Sequence, residues 1–259
     1  MNREKISVAL ATFNEKQNIT PCLASVKNLA DEIVIVDGKS SDKTAQIAKK
    51  LGARVISTTN KAMFHINKNL AIANCKNEWI LLLDADERIT EELAQEILAT
   101  IGQNPKANGF WLNRRNWFLG GFLKKGGAYP DSVIRLFRKG KGRLLEVSVH
   151  EQVSIDGDVG HLKNDLLHLA DPSFSRYLSR ADRYTNETAQ QIRVKNPGSS
   201  VWVLVYYALI KPFSVFVSIY IRHRGYVDGF RGFTWALFSA AHYFYAYVKY
   251  LEKTQNKIK

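Results

Sequence analysis

Cysteine is nearly absent. Only Cys22 and Cys75 occur in 259 residues. They stand apart and lack metal-ligand spacing, as do the scattered histidines. This excludes a disulfide framework and a zinc module, and it suits a reducing compartment. No secretory leader is expected, because Met1–Lys5 runs straight into an apolar, strand-like stretch, Ile6–Ala11. Two phosphate-binding signatures are missing. No Gly-x-Gly-x-x-Gly follows that stretch, and no Gly-x-x-x-x-Gly-Lys-Ser/Thr occurs. A phosphate ligand must then be met by a metal or by basic side chains. The 46% hydrophobic content excludes global disorder.

Acidic residues are also scarce, 24 against 37 basic ones, for a net charge of +13. The imbalance is local. Residues 1–101 carry 13 basic and 13 acidic side chains, 102–145 carry ten and one, 146–171 one and six, and 172–259 thirteen and four. Such a balance first suggests nucleic acid. The distribution argues otherwise, since 16 of the 29 aromatic residues fall between Trp202 and Tyr250, within the last basic block. Basic, aromatic and apolar together describe a membrane-surface element.

The first hundred residues alternate between strand and helix patterns. Ile6–Ala11, Glu32–Asp37, Arg54–Ser57 and Trp79–Leu83 read as strands. Ile19–Leu29, a stretch ending near Leu51, Ile66–Asn74 and Glu91–Ile101 read as helices, the last with Thr90 as its cap. Short connections between such pieces imply a parallel sheet covered on both faces, with ligand beyond the carboxyl ends of the strands. Asn14 and Glu15, Asp37, and the Asp84-Ala85-Asp86 run each follow a strand. Turn preference accounts for any one set. Three sets on one edge make a binding rim. Asp84 and Asp86 can offer oxygens to Mg²⁺ or Mn²⁺, which take one or two carboxylates and share the rest with diphosphate and water.

These motifs resemble family-2 glycosyltransferases with the GT-A fold. Val8-Ala-Leu-Ala-Thr-Phe-Asn-Glu15 resembles the family's first strand and donor turn. Ile33–Thr44 resembles its second strand and Asp-x-x-Ser-x-Asp-x-Thr turn, although Gly38 stands where many relatives have a second Asp. Asn67–Ala73 resembles the helix before the metal strand, and Trp79–Glu87 that strand with its motif. Val133–Lys139, Val149-His-Glu151, Leu167-His-Leu169 and Gly225–Gly232 are similar to bacterial lipopolysaccharide-core β-glucosyltransferases. The resemblance implies a GT-A domain over 1–171 and a helical, membrane-associating region over 172–259. It implies inverting transfer of a sugar, glucose first, from a UDP-sugar to a hydroxyl of a lipid-linked or lipopolysaccharide-core saccharide, at the cytoplasmic face of the bacterial inner membrane. It also implies donor contacts from Thr12, Asn14, Glu15, Asp37, Ala85 and the Asp84/Asp86 pair, with Mn²⁺ or Mg²⁺ on that pair. Lys68 reads equally as a diphosphate contact and as an exposed helix lysine. Glu151 is the expected base for the acceptor hydroxyl, with Glu146 and Asp131 as competitors. His150 and His168 are metal or phosphate candidates, against ordinary structural histidines.

Ser199–Ile221 has one charge, Lys211, followed by Pro212. Its length permits a membrane span. The central Lys-Pro favours two shorter interfacial helices instead, with Arg222, His223 and Arg224 at lipid headgroups. A second aromatic helix is expected at about 233–252. A helix packed on protein or on a second copy is the alternative. Three other functions compete: a polyprenyl-phosphate glycosyltransferase with the same catalytic domain, a nucleotidyltransferase, and a nucleic-acid-binding protein. The turn at 12–18 lacks the Gly-rich basic loop of the second, and the third needs a charged groove that the neutral first hundred residues do not supply.

Overall fold

A computed structural model describes residues 4–61, 63–145 and 152–255. The chain divides into two compact units, Met1–Arg114 with Ser132–His168, and Arg115–Asp131 with Leu169–Lys259.

In the first unit β1 (Ile6–Thr12), β2 (Glu32–Asp37), β3 (Arg54–Ser57) and β4 (Trp79–Leu83) run parallel in the order β3-β2-β1-β4. They are linked by α1 (Ile19–Ser25), α2 (Thr44–Lys50) and α3 (Phe64–Ala73). Next come β5 (Glu87–Ile89), α4 (Glu91–Gly102), β6 (Gly109–Phe118), β7 (Gly121–Phe122), β8 (Asp131–Arg138), β9 (Gly142–Leu144), β10 (Val153–Ile155) and β11 (Val159–His168). The sheet continues from β4 through β8, β6 and β11 to β5. β8 is antiparallel to β4, and β5 to β11.

Alternation along the strands builds a core on each face. Ile6, Val8, Leu10, Ile35, Trp79, Leu81 and Leu83 join Cys22, Leu23, Leu93 and Ile97 on one side. Ala9, Val34, Val36, Ile80 and Leu82 join Ala71, Ile72 and Cys75 on the other. Strands buried on both faces have to be apolar at every position, which is why β4 reads Trp-Ile-Leu-Leu-Leu. Burial pushes both cysteine thiols up to about 12, so they act as small apolar residues. Thr90 caps α4 by accepting from the Leu93 amide at 3.2 Å.

The second unit is helical: α5 (Phe174–Lys195), α6 (Val201–Arg222) and α7 (Gly229–Gln255). Ala189 and Ile192 of α5 bury against Ala246, Tyr247 and Tyr250 of α7. Tyr207 of α6 stacks on Tyr247 with ring centres 4.7 Å apart. The β7 hairpin belongs here, because Phe118, Leu123 and Ala128 share an apolar cluster with Tyr177, Trp235 and Phe238. A cut at residue 171 assigns that hairpin to the other half.

Proline 212 does not break α6. Tyr206–Ile210 and Ser218–Arg222 are π-helical, and α-helix resumes at Lys211–Val217 with the proline in its first turn. The wider turn before Pro212 lets the chain continue past a residue that has no amide hydrogen. Lys211 lies over the Tyr243 ring at 4.9 Å, so its charge has a partner on α7.

Candidate active site

The ends of β1 and β2 are laced together. Thr12 pairs with Asp37 in register, and its hydroxyl donates to the Asp37 carboxylate at 3.0 Å. The same carboxylate accepts from the amide and hydroxyl of Ser40, at 2.9 and 2.6 Å. Asn14, at φ 57°, accepts from the Ser41 amide at 2.8 Å. Asparagine tolerates this left-handed conformation better than most residues. The Glu15 amide donates to Thr44 at 2.7 Å. Thr12 and Asp37 are buried, whereas Asn14 is exposed. The Asp37-x-x-Ser-x-Asp-x-Thr44 turn therefore holds the first turn by hydrogen bonds, and the rim is preformed.

Leu10 of β1 pairs with Leu83 of β4, so Asp84 leaves the sheet on the edge that carries Asp37. The rim expected from sequence is thus one edge of one sheet. Asp84 is ion-paired twice, to the Lys68 ammonium and to Arg135, the latter at 2.6 Å. Arg135 also meets Glu87 at 2.7 Å, and Arg114 stands 3.6 Å from the same carboxylate oxygen. Glu87 is fully buried and accepts from the Asp84 amide at 2.9 Å. Burial pushes the Asp84 carboxyl up, but Arg135 and Lys68 outweigh it and hold the group well below the usual carboxylate range. Lys68 is 7% exposed, which removes the exposed-lysine reading. Phe64 lies under its ammonium at 4.9 Å. Ala85 is buried, and its carbonyl accepts from Arg88 at 2.6 Å.

Asp86 points elsewhere. Its carboxylate lies 3.6 Å from Nε2 of His168, the last residue of β11, which pairs with Glu87 across the sheet. Burial raises the Asp86 carboxyl, and His168 more than offsets this, leaving it below its ordinary value. Ligands about 2.1 Å from one ion lie roughly 3–4 Å apart. The Asp86–His168 spacing is compatible with both side chains reaching one divalent ion. Among the described residues no group of three or more acidic, histidine or cysteine side chains fits a metal. Both oxygens of Asp84 face cations, Lys68 on one and Arg135 on the other.

Glu151, with Glu146 and His150, lies outside the described residues. The flanking residues are tied down. Asn69 of α3 brackets Leu144, donating to its carbonyl at 2.9 Å and accepting from its amide at 3.0 Å. Gln152 accepts from the Ile134 amide at 3.4 Å. Ile134 lies two residues past the Leu136–Leu81 pair, beside the end of β4. Asp131 is engaged by Asn116 at 2.9 Å. Arg135, Glu87 and Arg114 were missed by sequence reasoning. The one available signal was an arginine within the apolar Val133–Phe137 run, where a charge needs a buried partner.

The family model for glycosyl transferase family 2 matches residues 7–147, a span that includes Thr12, Asp37, Lys68, Asp84, Asp86 and Arg135. The chain belongs to glycosyl transferase family 2. An uncharacterized glycosyltransferase of Rickettsia typhi is 28% identical over 242 residues, 89% of this chain and 81% of that protein. The lipopolysaccharide core biosynthesis glycosyltransferase LpsC of Rhizobium meliloti is 25% identical over 260 residues, 96% of this chain and 92% of its own. The solved structure of S. aureus TarS 1–349 in complex with UDP superposes with a TM-score of 0.50 at 15% identity, covering 96% of this chain and 88% of that one. That likeness bears on the fold, which is the GT-A type expected from the family motifs.

Proposed function

We propose that this glycosyltransferase inverts the anomeric carbon as it moves a sugar, glucose first, from a UDP-sugar to a hydroxyl of a lipid-linked or lipopolysaccharide-core saccharide. One observation carries the reading. Lys68 and Arg135 meet on Asp84 beside the Asp86–His168 pair, on the edge that Thr12 and Asp37 also occupy. Thr12, Asn14, Glu15 and Asp37 hold the base and ribose. Lys68 and Arg135, held in place by Asp84 and Glu87, face the diphosphate. Asp86 and His168 hold Mn²⁺ or Mg²⁺, which when bound neutralises charge on the departing diphosphate. Glu151 takes the acceptor proton from the opposite side of the sugar. The relation to LpsC supports the saccharide acceptor, and the exposed apolar face of α6 supports work at the inner membrane surface.

Melting the protein with a panel of nucleotide sugars tests the donor. UDP-glucose with Mn²⁺ should raise the midpoint, and removing the metal should shrink the shift, because a ligand of the folded state stabilises it. No shift with any nucleotide sugar would sink the reading. Glu151→Gln should cut transfer about 10²–10⁴-fold and spare donor binding. Near-normal turnover in that variant removes Glu151 as base and favours a phosphate acceptor, which hardly needs one.

A further inference from the structure

The Gly225–Gly232 stretch, read from sequence only as a family resemblance, is a fastener. Asp228 accepts from the Lys124 amide with both carboxylate oxygens at 3.0 Å, and from the Lys125 amide at 2.9 Å. The Gly126 amide donates to the His223 carbonyl at 2.9 Å. Side chains are excluded where the segments cross. A Cβ at Gly232 would lie 1.8 Å from the Gly225 carbonyl oxygen, and one at Gly225 would lie 2.8 Å from the Ile219 oxygen. The fastener brings Lys124 and Lys125 to Arg222, His223 and Arg224, about a hundred residues away. All five are exposed.

This corner ends α6. Lys124, Lys125, Arg222 and Arg224 have no carboxylate within ion-pair distance among the described residues. Asp228, the acid at hand, spends its oxygens on backbone amides. Beside the four cations lie exposed apolar side chains: Ile221 at 55%, Tyr226 at 48%, Val227 at 46% and Phe230 at 76%. Unpaired positive charge next to exposed apolar and aromatic groups matches a bilayer surface, with phosphate outside and hydrocarbon beneath.

We propose that this corner is a docking site for anionic phospholipid, assembled by Asp228 from the 124–125 loop and the end of α6. The proposal rests on the membrane-surface reading above and assigns it a place and a headgroup charge. The test is sedimentation of the full chain with vesicles of phosphatidylcholine alone, or with 30% phosphatidylglycerol, at low and high salt. The wild type should bind the anionic vesicles and lose most of that binding at high salt. Each basic side chain is worth about fivefold near such a surface. The variant with Lys124, Lys125, Arg222 and Arg224 all replaced by Gln should bind the anionic vesicles several-hundredfold more weakly. Asp228→Asn keeps every cation but loosens the fastener, and should weaken binding about tenfold while the protein still melts cooperatively at a somewhat lower midpoint. Wild-type binding that is unaffected in the four-Gln variant, or equal on both vesicles, overturns the corner while leaving membrane association standing. No wild-type binding to either vesicle overturns both, and a light-scattering mass of a dimer would then assign the apolar face to a second copy.

Discussion

The two units handle positive charge in opposite ways. At the rim of the first, Lys68 and Arg135 are buried and paired with Asp84 and Glu87. At the corner of the second, Lys124, Lys125, Arg222 and Arg224 stand exposed. Buried cations have to be paired, because desolvation is otherwise too costly, and pairing fixes their positions. A site that must hold a leaving group in one geometry benefits from that rigidity. A surface that meets mobile headgroups does not need it. One chain thus carries a built cradle and a diffuse electrostatic patch.

This contrast can be broken at several points. The largest effect is expected from Asp86→Ala, which removes the carboxylate that faces His168 at the rim. Transfer should drop about 10³-fold or more in kcat/KM, with the melting midpoint little changed. Retained turnover would detach the Asp86–His168 pair from the chemistry. Next comes Arg135→Met, which leaves Asp84 and Glu87 without their shared cation. Urea unfolding should show a loss of about 3–5 kcal/mol. A neutral result would show that the network does not organise the rim.

A smaller effect is expected in the second unit. Gly232→Ala drives a methyl into the Gly225 carbonyl, and should cost about 1–3 kcal/mol while also weakening anionic vesicle binding. The smallest effect concerns pH. His242 donates to or accepts from Thr188 at 2.8 Å, and burial, with Lys249 adding to it, holds the ring below its ordinary 6.5. The unfolded chain therefore takes up this proton first as pH falls. The stability from the neutral ring is complete above 6.5 and is lost as pH drops through the lower folded value. Melting from pH 7 to 5 should show a decline that His242→Gln reduces. Equal declines in both proteins would assign it to other groups.

Legibility followed the range of the interactions. Ile33–Val36 and Trp79–Leu83 announced buried parallel strands through local composition, and Thr90 announced its cap. The chemistry of Asp37 and Asp84 was visible because both follow such strands. Arg135 was not, since its role depends on β8 lying beside β4, 51 positions from Asp84. That His168 meets Asp86 was not legible either, because it depends on β11 pairing with β5. The break expected at Pro212 did not occur, because a π turn absorbs the missing hydrogen bond, and single-residue rules do not anticipate that. The long helix α5 lies within the region expected to be helical, but its bounds were not legible. Its apolar contacts lie on a narrow stripe of an otherwise polar segment, and they make sense only against α7.

By itself, the sequence determined the alternation of buried strands and helices, the family motifs and the basic-aromatic character of the last ninety residues. These depend on side chains within a turn or two of each other. Which cation meets which carboxylate, and that loop 124–125 joins the end of α6, only the tertiary structure decided. Such pairings depend on strand order and backbone approach across many tens of residues, and local pattern carries no record of them.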